Sequence, residues 1–68
     1  MEKDVTFKNR DRLIQLGMVI AALRKVRGMS QEKLAERLGV STNYVSVLET
    51  GKQYPSIGTL IRFARALG

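Results

Sequence analysis

The side chains of this chain that could do chemistry are hydrogen-bonding ones. Thr42, Asn43 and Ser46 fall in one short segment with Val45 and Leu48. Val45 and Leu48 recur at helical spacing and form an inward stripe, so Thr42, Asn43, Ser46 and Val47 are turned outward. An asparagine amide can pair with two atoms at once, a hydroxyl can donate or accept, and an exposed valine offers methyl contact. Such a set suits recognition by hydrogen bonds and apolar contact rather than bond breaking. The residues of covalent and acid–base catalysis are missing. There is no histidine and no cysteine, which removes the usual general base, the commonest neutral metal ligand and any thiolate. Glu32 and Glu36 stand one turn apart, but Lys33 and Arg37 accompany them, as on any solvated helix face. No glycine-rich phosphate loop occurs. The chain is read as a non-enzyme with no catalytic residue, metal site, cofactor or evident small-molecule ligand.

Composition points to an anionic partner. Twelve Lys and Arg against six Asp and Glu give a net charge of +6, and the pI is near 10.4, the electrostatic footprint of nucleic-acid binding. Sixty-eight residues allow a single domain with a small core. Residues 1 to 10 are charged and lack the apolar run of a signal peptide. No apolar stretch approaches the roughly 20 residues of a membrane span. A cytoplasmic protein without membrane association is expected.

The elements that must position the outward set are helices. Gly28, Gly39, Gly51 and Gly68 each follow an apolar-periodic segment, and Ser30, Ser41 and Ser56 each open the next; glycine after a helix and serine before one are the expected stop and start signals. Four helices follow. The first is expected from about Arg10 to Arg27, with Leu16, Ile20 and Leu23 inward, and residues 1–9 are expected to form a flexible arm. Gly17 inside this helix costs roughly 1 kcal/mol relative to alanine, which predicts close approach of another helix. Leu34, Ala35 and Leu38 form the stripe of the second helix, and Val40 plugs the bend after Gly39. The last helix opens after Pro55 and runs to about Leu67, with Leu60, Phe63, Ala64 and Leu67 inward. Residues 10–68 are read as one domain.

Two short helices joined at a glycine, with a small residue at their crossing, make the helix-turn-helix plan. Residues 31 to 50 resemble the motif of the lambda-repressor/Cro-like family, also called the XRE family. Leu34, Ala35, Leu38, Gly39, Val40, Val45 and Leu48 match it in register, and similarity extends from about Leu16 to Gly68. The resemblance implies an all-α, compact four-helix DNA-binding domain with the helix-turn-helix as helices 2 and 3. Many family members continue into a fifth helix, which is absent here.

The resemblance also implies that the segment from about Thr42 to Thr50 lies in the major groove of double-stranded DNA. Its N-terminal end goes deepest, so Thr42 and Asn43 come first as base readers, followed by Ser46 and Val47, with Ser41 at the cap. Relatives carry glutamine at the position of Gln31, where it contacts a phosphate and can brace a side chain of the recognition helix. Tyr44 could offer its hydroxyl to a phosphate. Thr50, Lys52 and Gln53 fall in a loop that relatives lay on the DNA backbone, partly through main-chain N–H groups. Relatives also pair an arginine late in helix one with a glutamate late in the recognition helix, which predicts a partly buried Arg24–Glu49 salt bridge. The function implied is a transcriptional regulator, a repressor of bacterial or phage type, binding a palindromic operator as a homodimer. Met18, Val19, Val26 and Ile61 are candidate dimer contacts. The alternative is a protein-interaction module that keeps the fold without reading DNA.

Overall fold

A computed structural model of the chain describes the backbone of residues 2–68 and the side chains of residues 10–68. It contains four helices: α1 (Glu2–Val26), α2 (Gln31–Leu38), α3 (Thr42–Glu49) and α4 (Ile57–Leu67). Each of the last three starts at a serine in extended conformation. Ser30, Ser41 and Ser56 accept a hydrogen bond from the main-chain N–H of Lys33, Tyr44 and Thr59 respectively, filling one of the donors a helix start leaves open.

Between α2 and α3 the chain turns at Gly39, whose φ of 71° lies in the left-handed region that favours glycine. The N–H of Val40 then returns to the carbonyl of Ala35 at 3.0 Å, which closes the bend and brings Val40 against the core. That core consists of Ile20, Met29, Leu34, Ala35, Leu38, Val45, Leu48, Phe63 and Leu67, with Leu16, Val40, Tyr44 and Ala66 packed on it. It draws on all four helices and is densest where α2 and α3 cross. Leu34, Val45 and Leu48 are the largest side chains fully withdrawn from water.

Gly17 marks the contact of α1 with the end of α3. A Cβ built there would stand 2.5 Å from the carbonyl oxygens of both Leu48 and Glu49. No real Cβ tolerates that distance to backbone, so the missing side chain is what lets the two helices meet.

Three sequence expectations need correction. The helical backbone begins at Glu2 rather than near Arg10; no glycine or proline interrupts residues 2–16, so nothing local stops the helix. The expected arm over residues 1–9 falls outside the described side chains. Leu23, expected inward, is 40% exposed, and in α4 only Phe63 and Leu67 are buried, with Leu60 half-buried and Ala64 exposed. The cause is common to both helices: the seam between α1 and α4 is open, an apolar groove in which Leu16, Val19 and Leu23 face Leu60 and Ala64. Met29 and Pro55, which lie between helices, are buried.

Candidate nucleic-acid interface

The outward face of α3 follows from what its inward face is tied to. Val45 and Leu48 are buried against α2 and the rest of the core, which turns the other flank of the helix out. Thr42 and Asn43 are exposed at its N-terminal end. Ser46 and Val47, one turn on, are half-buried rather than fully outward, so the ridge recedes from its tip toward its end. Ser41 is exposed, with its hydroxyl oxygen accepting from the N–H of Tyr44 at 3.0 Å. Tyr44 itself is half-buried and packs on the core, so its ring anchors the start of α3.

A buried polar network fixes the other end of α3. Arg24 donates from Nε to Glu49 Oε2 at 2.6 Å and from Nη2 to Glu49 Oε1 at 3.1 Å. Its Nη1 donates to the carbonyl of Met29 at 2.8 Å. Gln31 completes the arrangement by donating from Nε2 to Glu49 Oε1 at 2.8 Å. The Arg24 and Glu49 side chains are only 10% and 6% exposed, so each charge depends on the other. The carboxylate thereby joins α1, the start of α2 and the end of α3, and Arg24 ties in the α1–α2 loop. The bidentate fork gives this joint a defined angle as well as strength.

Part of the loop after α3 is bonded back onto the helix. The N–H groups of Thr50, Gly51 and Lys52 turn back to the carbonyls of Ser46, Leu48 and Val47 at 3.0, 3.1 and 3.1 Å. The Thr50 hydroxyl also donates to Ser46 and Val47 carbonyls, at 2.9 and 3.2 Å. These donors end the helix and are not open to an anion. What the loop presents outward is the side chains of Lys52 and Gln53, both exposed. Gln31, half-buried at the first position of α2, sits where the free N–H groups of a helix start favour an anion.

The structure thus brings Gln31, Ser41, Thr42, Asn43, Ser46 and Val47 onto the α2–α3 unit, with Lys52 and Gln53 beyond its end. It binds Arg24 and Glu49 beneath them. Sequence reasoning missed the carbonyl of Met29 as a third partner of Arg24; the signal available was that an arginine with five donors is rarely satisfied by one carboxylate. Among the described residues no group of His, Cys, Asp or Glu could hold a metal ion, and no helix is long and apolar enough to cross a membrane.

Comparison with known proteins agrees with this geometry. A helix-turn-helix family model matches residues 20–68. The chain is 42% identical over 53 residues to an uncharacterised HTH-type transcriptional regulator of Sinorhizobium fredii, a match covering 78% of this chain and 69% of that one. It is 49% identical over 45 residues to another such regulator of Methanothermobacter thermautotrophicus, covering 66% and 65%. Over 53 residues it is 40% identical to the immunity repressor protein of Bacillus phage phi105, covering 78% of this chain but only 37% of the repressor. The chain therefore spans part of the length of each of these relatives. Among solved structures, the restriction-modification controller protein C.AhdI of Aeromonas hydrophila superposes with a TM-score of 0.81 at 33% identity, over 84% of this chain and 86% of that one.

Proposed function

Since the chain belongs to the helix-turn-helix family of lambda-repressor/Cro-like, DNA-binding transcriptional regulators, we propose that it is a sequence-specific repressor that places α3 in the major groove of a palindromic operator as a homodimer. The observation that carries this reading is the Arg24–Glu49–Gln31 network. It holds a short helix rigidly by one end while leaving Thr42 and Asn43 exposed at the other. Base readout needs donors held in place before the duplex arrives.

In this reading Asn43 pairs with an adenine edge and Thr42 and Ser46 contact neighbouring bases. Val47 meets a thymine methyl. Ser41, Gln31, Tyr44, Lys52 and Gln53 border the phosphates and set the register, while Thr50 holds the loop that carries Lys52. Gln31 does two things at once: its amide nitrogen is committed to Glu49, and its place at the start of α2 puts it beside a phosphate. Cytoplasmic location follows from where the operator is. Homodimerisation follows from the arithmetic of recognition, since one small module reads too few base pairs for a rare site. The open α1–α4 groove, with Val19 exposed along it, is the apolar surface available for it. The phage phi105 relative is an immunity repressor, which favours repression over activation.

Selection of bound sequences from random DNA tests the proposal. The expected result is an enriched inverted repeat whose half-site centres lie about 34–36 Å apart, one turn of duplex, or a multiple of it. Enrichment of no sequence, or affinity that does not fall as salt rises, overturns it.

A further inference from the structure

The charge of this domain is not concentrated where DNA is proposed to lie. Among the described residues, Arg24 is neutralised by Glu49 and Lys33 by Glu36. Three arginines with no carboxylate partner among those residues converge elsewhere. Arg37, Arg62 and Arg65 surround an open hollow of about 390 Å³ between α2 and α4, with Leu38 and Ala66 completing its lining. We propose that this hollow is a docking site for an acidic segment of another protein, one in which glutamates or aspartates flank an apolar side chain.

Orientation separates the hollow from the recognition ridge. On α2, Gln31 reaches across to Glu49 of α3, and Ala35 lies on the same flank. At 100° per residue Arg37 stands about 160° around the helix from Ala35, away from α3 and toward α4. On α4, Arg62, Arg65 and Ala66 face α2, whereas Leu60 and Ala64 face α1. A duplex seated on Thr42 and Asn43 approaches from the α3 side of α2, whereas the hollow opens on its α4 side.

Chemistry selects the occupant. Guanidinium groups bind carboxylates in a two-pronged geometry and stack against apolar stems. Arg62 is held in place by donating to the carbonyl of Leu38 at the end of α2, while Arg37 and Arg65 are exposed and able to close over a ligand. Leu38 is buried beneath the hollow, so half-buried Ala66 and the methylene stems of the arginines supply its apolar floor; that floor favours a peptide over a phosphate backbone, which has no apolar group to insert between the arginines.

The test uses the full chain and a short fluorescein-labelled peptide of glutamates interrupted by leucine, read by fluorescence anisotropy at 0.15 M salt. A control peptide has glycine in place of leucine. The expected result is saturable binding that weakens by about tenfold in a protein carrying both Arg37→Gln and Arg65→Gln, the loss expected for charge-assisted hydrogen bonds. The glycine peptide binds more weakly than the leucine peptide. Operator affinity of the same variant changes less than about threefold, because charges beyond a Debye length of about 8 Å are largely screened. Failure of the leucine peptide to bind overturns the proposal, as does equal binding by the variant. A tenfold loss of DNA affinity in the variant also overturns it and assigns the arginines to the DNA backbone. Both substituted positions are exposed, so folding is preserved and each outcome is readable.

Discussion

The two sides of this small bundle are finished to different degrees. Where α2 crosses α3, Leu34, Val45 and Leu48 are fully withdrawn from water and a charged network closes the end of the unit. Where α1 lies beside α4, apolar side chains of the same size remain half in solvent: Leu23 is 40% exposed and Val19 53%. The first side has the packing of a rigid tool, the second that of a surface awaiting a partner. A domain this small cannot spend apolar residues on both without reason. The contrast matches the proposed division between a part that reads DNA and a part that pairs with a second copy.

The largest effect is expected from breaking the joint on the finished side. Arg24→Ala strands the Glu49 carboxylate, already only 6% exposed, and frees the Met29 carbonyl. A loss of about 3–5 kcal/mol is expected, measured by urea unfolding. The double variant Arg24→Met with Glu49→Leu recovers most of it, because no buried charge is left alone. If the single variant unfolds at the same urea concentration as the parent, the network is not what holds α3.

A pair of truncations compares the two sides directly. Leu34→Ala removes a side chain with no access to water and should cost about 2–5 kcal/mol. Leu23→Ala removes the same atoms from the open seam and should cost less than about 1 kcal/mol. Equal losses would mean that the seam is covered in solution. Val19→Glu asks what covers it: a charge placed there should turn a dimer into a monomer by sedimentation. Operator affinity should then drop by about a hundredfold or more as the second half-site is lost.

Much of the finished side was legible in the sequence, and the reason is local. Serine caps, a glycine after each helix and a period of 3.6 are written within a few residues of where they act, so Ser30, Ser41 and Gly39 could be placed before any coordinates. Gly17 was legible too, as a residue whose cost in a helix demanded a reason, though not that α3 backbone was what approached it. The seam was not legible. Leu23 and Leu60 carry the same inward signal as Ile20 and Phe63, and periodicity reports which flank of a helix is apolar, never whether another element covers it. The internal bonding of the loop after α3 was not legible for a related cause. Whether the N–H groups of residues 50–52 serve a ligand or end the helix depends on backbone direction, which residue types there leave open. At the proposed DNA face, exposure of Thr42 and Asn43 followed from the stripe, while the partial burial of Ser46 and Val47 depends on neighbours distant in sequence.

Asn43→Ala probes the reading face without touching the core. Asn43 is exposed, so unfolding free energy should change by no more than about 0.5 kcal/mol. Discrimination at one base pair of each half-site should fall by about 1–3 kcal/mol, read as relaxed preference for that base when selection is repeated. Uniform weakening against every sequence would place Asn43 on a phosphate instead.

The smallest effect separates Lys52 from the arginines of α4. Lys52 is the exposed cation in the loop that follows α3, and its main-chain N–H is committed to Val47, so the ammonium group is what it has to offer DNA. One phosphate contact releases roughly one counterion per half-site. Lys52→Ala should therefore flatten the dependence of log affinity on log salt by about 0.9 for each half-site, with base preferences unchanged. Arg65→Gln removes an equal charge from the α2–α4 side and should leave that slope alone. If the two variants flatten it equally, the duplex feels net charge rather than a placed lysine, and the separation of the reading face from the α2–α4 hollow loses its electrostatic support.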